Sequence, residues 1–496
     1  MVQLSNETLN KINQSSQIAL PQYKQSSISV GVVHFGTGNF HRAHQAVYCD
    51  SLLNKGETEW GITGISLRSS GMRDNLAPQD FLYTQATLSE TTTFRVIGAI
   101  QNLLVAPENP QAVIDIVAHN DTQLVTTTIT EKGYYLLNGK INLDDPDVKQ
   151  DIQSLETPKT TYGYLAAAMI QRCKDQNSPL TILCCDNMNG GGEHLFHGVK
   201  LLLEQHSPNT VDWINKNVSF ISSMVDRVTP ATNDDIIANV AKHIGVTDLA
   251  PVAAEPFTQW IIEDNFAGKR PPFDQVGALF VNDISPFEHI KLRFLNAGHS
   301  MLSTLGYLVG DSYVHEALLR PSLAQFTEQA LKTNVLPVTS IPKGINGEEY
   351  IDQVLERFRN SHLPYAVLQV GTDSSQKIQQ RWLPSIDDAL TQKRDATFLA
   401  FSLAAWVCFI LKALKNEDLN DPLKESFAKS IAINTENTMN EENYVRKFLS
   451  LAGADRFNFF SNEAFMAIVD SFYENINEVG VEQTLATTKT LTTESF

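Results

Sequence analysis

ISVGVVHFG (28–36) runs almost directly into NFHRAHQAVYCDSLLNKG (39–56). The first stretch is apolar and β-branched and ends in glycine, which is the pattern of a buried strand. The second spaces Phe40, Ala43, Val47, Leu52 and Leu53 as a helix does, with Gly56 as its stop. The pairing then recurs. WGITGISL (60–67), FRVIGAI (94–100), QLVTTTIT (123–130) and LTILCCD (180–186) read as further strands, with PQAVIDIVAHN (110–120) and YGYLAAAMIQRCKDQ (162–176) as helices among them. Strands alternating with helices imply parallel βαβ units in a doubly wound α/β sheet.

A chain of 496 residues exceeds one comfortable core. After about residue 285 strand patterns become rare, and helical spacing covers 287–307, 313–333, 347–360, 384–414 and 440–475. The expectation is an α/β domain over 1–283 and a mostly α-helical domain over 284–496. ATFLAFSLAAWVCFIL (396–411) is shorter than the roughly 20 residues a bilayer requires and is followed by Lys412, so it reads as a buried core helix. The formal charge of -18 argues against nucleic acid or an anionic membrane as partner, since the net field repels both. Five scattered cysteines without a CxxC, and an N-terminus without an apolar signal core, suggest reduced thiols and a cytoplasmic setting.

Gly36 and Gly38 fall where the first strand passes into the first helix. A dinucleotide needs glycine there for the tight turn and close backbone approach, with helix N–H groups facing the pyrophosphate. The usual third glycine is replaced by His41. The acid expected after the second strand, which would hold an adenosine ribose, is also missing: Leu67-Arg68-Ser69-Ser70-Gly71 stands in its place. Arg68 would suit a 2′-phosphate, so NAD is the expected cofactor with NADP as the alternative. His34, His41 and His44 mix strand and helix positions without a suitable carboxylate, so no metal site is expected.

KLRFLNAGHS (291–300) sets three polar heads in an apolar helix. At about 100° per residue, Asn296 would lie about 140° around from Lys291, and His299 about 80°. A dehydrogenase must take a proton from an alcohol as hydride leaves its carbon. A buried lysine can do so, and Asn and His donors can hold the developing alkoxide. Lys291, Asn296 and His299 fit those roles.

With VHFGTGNFHRAHQAVYCD, TTTITEKGYY, CCDNMNGGG, SSMVDRVTP, AAEPFTQWIIEDNF, FEHIKLRFLNAGHSMLSTLGYL and SSQKIQQR in order over roughly 30–385, the chain resembles the mannitol 2-dehydrogenase family. That family comprises polyol-specific long-chain dehydrogenases and includes fructuronate reductases. The resemblance implies a Rossmann-type N-terminal domain, a helical C-terminal domain, a substrate cleft between them and metal-free hydride transfer with a nicotinamide. It makes Lys291 the general base, Asn296 and His299 the carbonyl-polarising pair, and Glu288 a relay passing the proton to solvent. Asn187, Asp226 and Lys377 match substrate-contacting positions, and Gly36, Gly38 and Phe40 the cofactor loop. Gln369, where these mannitol enzymes often carry arginine, and Arg381 lean locally toward the fructuronate reductases, with Lys377 or Arg381 as a cation for a substrate carboxylate. Glu131 is read as a buried structural carboxylate, with a place along the proton path as the alternative, and Glu255 as an organiser of the fold near the cleft. The partner is thus a small polyol (D-mannitol/D-fructose) or sugar acid (D-mannonate/D-fructuronate). The rival from another class is a non-catalytic NAD(P)-binding sensor.

Overall fold

In the computed structural model, which describes residues 1–137, 139–436 and 443–491, contacts divide the chain into two units, Met1–Ile284 and Ser285–Phe496. The first is built on eight strands: β1 (Val30–Phe35), β2 (Gly61–Ser66), β3 (Ile100–Val105), β4 (Leu124–Thr127), β5 (Leu180–Cys184), β6 (Val218–Asp226), β7 (Gln259–Glu263) and β8 (Leu279–Val281). Their spatial order is 3-2-1-4-5-6-7-8. The first six run parallel; β7 pairs antiparallel with β6, and β8 parallel with β7. The sheet is therefore doubly wound with a mixed edge.

Strand side chains alternate between faces, and both faces of this sheet are covered. Val32, Ile62 and Leu183 enter a core with the helix Gln45–Asn54, while Val33, Ile65 and Ile182 enter another with the helices Pro110–Ala118, Thr161–Lys174 and Gly191–His206. Double coverage is why these strands read as continuous apolar runs. Cys184 and Cys185 face opposite cores, and all five cysteines are free thiols.

Two sequence expectations are corrected here. FRVIGAI is two strands: Thr93–Ile97 joins a separate four-stranded sheet, and only Ile100 onward belongs to β3. The break falls at Gly98, whose N–H donates to the buried carboxylate of Asp50 at 3.0 Å. The helix over 39–56 is also two, Asn39–Ala43 and Gln45–Asn54, parted at His44 (φ -126°, ψ -90°), whose Nε2 lies 2.9 Å from the Gln259 carbonyl oxygen.

The second unit is helical, but its long segments are broken. The stretch 313–333 divides at Arg320, before Pro321, and 384–414 divides between Thr391 and Thr397, where Lys393 has φ +54°. The segment expected over 440–475 becomes Asn443–Leu451 and Glu463–Val479, and its residues 440–442 lie outside the described residues. The stretch 287–307 changes helix type midway, as described below. Thr397–Lys415 is, among the described residues, the one helix long and apolar enough to cross a membrane. Its Leu399, Phe401, Leu403, Trp406 and Ile410 are wholly buried, and it packs on Glu463–Val479 and Ala297–Val309. A helix apolar on all sides needs such a surround.

Candidate active site

In the first unit, Gly36 follows β1 with φ +95°, and a Cβ there would lie 2.1 Å from the Thr128 carbonyl oxygen. Only glycine satisfies both conditions. Gly38 caps the helix Asn39–Ala43, and its Cβ would meet only the Gly36 oxygen, at 3.9 Å. The protein leaves open space beside Gly38, as a backbone approached by a ligand requires. The turn stands where β1 has β2 on one side and β4 on the other, the switch point at which doubly wound sheets take dinucleotides. These residues fit a dinucleotide pyrophosphate. Phe40, half-buried, stacks on His44 with ring centroids 5.1 Å apart. Arg68 is exposed, two residues beyond the end of β2; Asp74, the next acid, is paired with Arg73 at 2.9 Å.

The three histidines of this loop are packed side chains. His34 and His41 stack with centroids 3.4 Å apart, and His34 meets Thr126 Oγ1 at 2.7 Å and Thr128 Oγ1 at 2.9 Å. Burial holds His34 neutral, its pKa drawn down to about 3, and holds His41 well below its ordinary value, with the Arg42 charge adding to the lowering. Among the described residues no three His, Cys, Asp or Glu side chains gather as metal ligands would.

Asp226 ends β6 at 4% exposure, and Asn187 is exposed just past β5. These strands are parallel neighbours, so both residues lie toward the sheet's carboxyl edge. Asp186, which the sequence reading passed over, sets the local frame. Its carboxylate accepts from Tyr134 Oη at 2.7 Å, Thr127 Oγ1 at 3.2 Å and the Thr130 N–H at 2.8 Å. Burial raises its pKa against those hydrogen bonds. Thr130, a β-branched residue at φ +64°, is a backbone outlier of the kind that clusters at functional sites. Glu131 is exposed rather than buried, because it opens a surface 3₁₀ turn, Glu131–Tyr134. Glu255 is buried and accepts the Val228 N–H at 2.8 Å, while Trp260 packs in the core.

In the second unit, Ser285–Ile290 is α-helical, Lys291–Asn296 is a π-helix and Ala297–Val309 is α again. The Ala297 N–H reaches back five residues to the Leu292 carbonyl. The wider turn corrects the angle expected from α geometry. With i to i+5 bonding, residues five apart stack, so Asn296 stands over Lys291 instead of far around the axis. His299 follows Asn296 by three residues, one turn further on. Lys291 is 8% exposed, and Glu288 is half-buried one turn before it.

His299 lies against Phe358 (centroids 4.8 Å apart, stacked) and Tyr365 (4.9 Å, edge-on). Its Nε2 is shielded from solvent and has no hydrogen-bond partner among the described residues. Burial, then the charges of Arg381, Lys377 and Arg357, draws its pKa down to about 3, so the ring is neutral at pH 7. Arg381 donates to the Asn296 carbonyl at 3.1 Å and to Ser300 Oγ at 2.6 Å, and burial lowers its pKa to about 10. Trp382 Nε1 donates to the Ala297 carbonyl at 3.2 Å. Lys377, one helical turn before Arg381, donates to the Val370 carbonyl at 3.0 Å, and Gln369 is exposed. Arg381 and Trp382 thus bond carbonyls at the π–α junction. Arg357 and the aromatic pair could not be foreseen as neighbours of His299, since each is more than fifty residues away along the chain.

With this geometry in view, comparison with known proteins is direct. Residues 30–275 match the mannitol dehydrogenase Rossmann domain and 283–476 the mannitol dehydrogenase C-terminal domain. The chain is 36% identical to a mannitol 2-dehydrogenase of Aspergillus fumigatus over 485 residues, covering 94% of this chain and 95% of that one. It is 37% identical to one of Aspergillus oryzae over 441 residues, covering 86% and 88%. Among solved structures, Pseudomonas fluorescens mannitol 2-dehydrogenase in ternary complex with NAD and D-mannitol aligns with a TM-score of 0.80 at 31% identity, covering 99% of this chain and all of that one. A D-sorbitol dehydrogenase in substrate-free form aligns at 0.87 with 29% identity, covering 98% and 100%. The chain therefore belongs to the mannitol dehydrogenase family.

Proposed function

We propose that the protein oxidises a secondary alcohol of a linear polyol to the ketone, and reverses that reaction, with D-mannitol and D-fructose as the first pair to test. The relatives named mannitol 2-dehydrogenase, and the solved structure holding NAD and D-mannitol, support this reading. When bound, a nicotinamide supplies the hydride acceptor or donor. The turn at Gly36, Gly38 and Phe40 would hold its dinucleotide, with Arg68 beside the adenosine ribose.

Lys291 takes the hydroxyl proton, and Glu288, one turn earlier, passes it toward solvent. Asn296 and neutral His299 donate to the substrate oxygen as it gains negative charge. Asn187, Asp226 and Lys377 hold the remaining hydroxyls. Arg381, bonded to the Asn296 carbonyl, acts as a positioning residue. The observation that carries this reading is a buried lysine at the head of a π turn, followed by a neutral histidine whose shielded Nε2 has no partner among the described residues. The cations around His299 favour a second substrate class, a sugar acid, whose carboxylate Lys377 or Arg357 would meet.

Steady-state turnover of mannitol, fructose, mannonate and fructuronate with NAD(H) and NADP(H), followed at the reduced-nicotinamide band, tests substrate and cofactor together. Lys291→Ala should lose about 10²–10⁴-fold in kcat with the best substrate, the usual value of a positioned general base. Unchanged turnover removes Lys291 as base. Cofactor binding without turnover of any substrate would favour a nucleotide sensor.

A further inference from the structure

Apart from the residues proposed for catalysis, the first unit holds a cavity of about 390 Å³. Its floor is the hairpin of Tyr83–Thr87 and Thr93–Ile97. In antiparallel register Gln85 stands opposite Arg95, and Thr87 opposite Thr93, so all four share one face. The other face, with Ala86, Phe94 and Val96, enters a hydrophobic core. A two-faced hairpin normally turns its polar side to open water. Here that side floors a pocket, and Gln85 is 3% exposed.

The lining contains two charged side chains, Arg95 and Arg227, and no carboxylate. Arg95 gives Nε and Nη2 to Asp50 Oδ2, and Nη2 also to Ser51 Oγ; its Nη1 has no acceptor among the described residues. Asp50 is fully buried behind it, with its carboxylate also accepting from Tyr23, Asn54 and the Gly98 N–H. Arg227, 9% exposed, gives Nε and Nη2 to the Glu255 carbonyl and Nη1 to that of Ala43. Three of its five N–H donors are thereby taken, which leaves two. Burial draws the Arg227 pKa down to about 10, and the Arg95 charge adds to the lowering although the Glu255 charge opposes it. The two guanidiniums therefore sense one another, and Arg227 remains charged at pH 7.

We propose that this cavity is a binding site for a small phosphate-bearing anion, held between Arg95 and Arg227. The guanidiniums reach it from different walls, the hairpin and the end of β6. A planar carboxylate suits one fork, whereas a tetrahedral oxyanion accepts from several directions at once. Thr87 and Thr93 add hydroxyl donors, and the volume lies in the range of small-molecule sites. On a chain of formal charge -18, such a pocket must act locally against a repulsive field. The site does not rest on the enzymatic reading, because binding is measured without turnover.

The test is calorimetric titration of the full chain with inorganic phosphate and with glycerol 3-phosphate at low salt, in saturating NAD so that the glycine turn is filled. Gln85→Glu is isosteric and sets a carboxylate directly across from Arg95. Wild type should bind one equivalent, Gln85→Glu about tenfold or more weakly with an unchanged melting temperature, and Arg68→Ala as wild type does. The tighter of the two ligands shows whether free phosphate or an ester is the natural occupant. Absence of saturable binding, equal affinity in Gln85→Glu, or loss of binding in Arg68→Ala would overturn the proposal. The last result would place the anion at the dinucleotide site.

Discussion

His299→Leu isolates one hydrogen bond. Leucine keeps apolar contact with Phe358 and Tyr365 and removes the ring nitrogen that has no partner among the described residues. With a pKa near 3, the native ring is protonated in only about one molecule in 10⁴ at pH 7, so it acts as a neutral donor and not as the titrating base. Losing one donor aimed at a developing oxyanion costs about 2.7–4 kcal/mol, or roughly 10²–10³ in kcat. The assay is steady-state oxidation of the best polyol from pH 5 to 10, for wild type and variant, with melting temperatures as a folding control. Both profiles should bend at the same pH, the variant lower by that factor, with KM changed less than kcat. A loss under tenfold refutes the donor role. Disappearance of a limb near pH 6–7 in the variant refutes the neutral-ring argument.

Other outcomes follow from the same structure. Gly38→Ala should fold normally, since its Cβ meets no protein atom nearer than 3.9 Å, yet bind NAD at least about tenfold more weakly by fluorescence titration, a loss of about 1.4 kcal/mol. Gly36→Ala should instead lower the melting temperature, because its Cβ falls 2.1 Å from the Thr128 oxygen at φ +95°. Arg68→Ala should raise KM for NADP about tenfold or more and leave that for NAD nearly unchanged; equal effects would separate Arg68 from any 2′-phosphate. His34, neutral when folded with a pKa near 3 against 6.5 unfolded, adds an acid sensitivity. Below pH 6.5 only the unfolded chain takes up this proton, so stability falls as pH drops toward 3, by about 2 kcal/mol at pH 5. Unfolding midpoints at pH 7 and 5 should therefore differ less in His34→Gln than in wild type.

How far the fold could be read in advance depended on whether its determinants were local. β1 and β5 are buried on both faces, so continuous Val, Ile and Leu announced them. β6 alternates Ser219, Ser222 and Ser223 with apolar residues and passed unnoticed, as did β7 and β8. The split of FRVIGAI was invisible because Asp50, which anchors Gly98, lies 48 positions upstream. At the candidate site, residue types alone pointed to Lys291, Asn296 and His299. Their mutual angle did not follow, since apolar spacing over 287–307 fits an α-helix as well as a π turn. The neutrality of His299 depends on Phe358, Arg357 and Arg381, which tertiary folding supplies.

The π turn also holds one residue more than a regular helical turn would. Removing any one residue between Lys291 and Asn296 would let regular α hydrogen bonding heal the helix, a gain in local regularity. In α geometry a residue four positions on lies about 40° around the axis, so Asn296 would stay close to the face of Lys291 while the side chains between them change direction. The wide turn thus behaves as a spacer that absorbs one extra residue, so losing that residue would re-aim the side chains between Lys291 and Asn296 while leaving the flanking helices nearly in place.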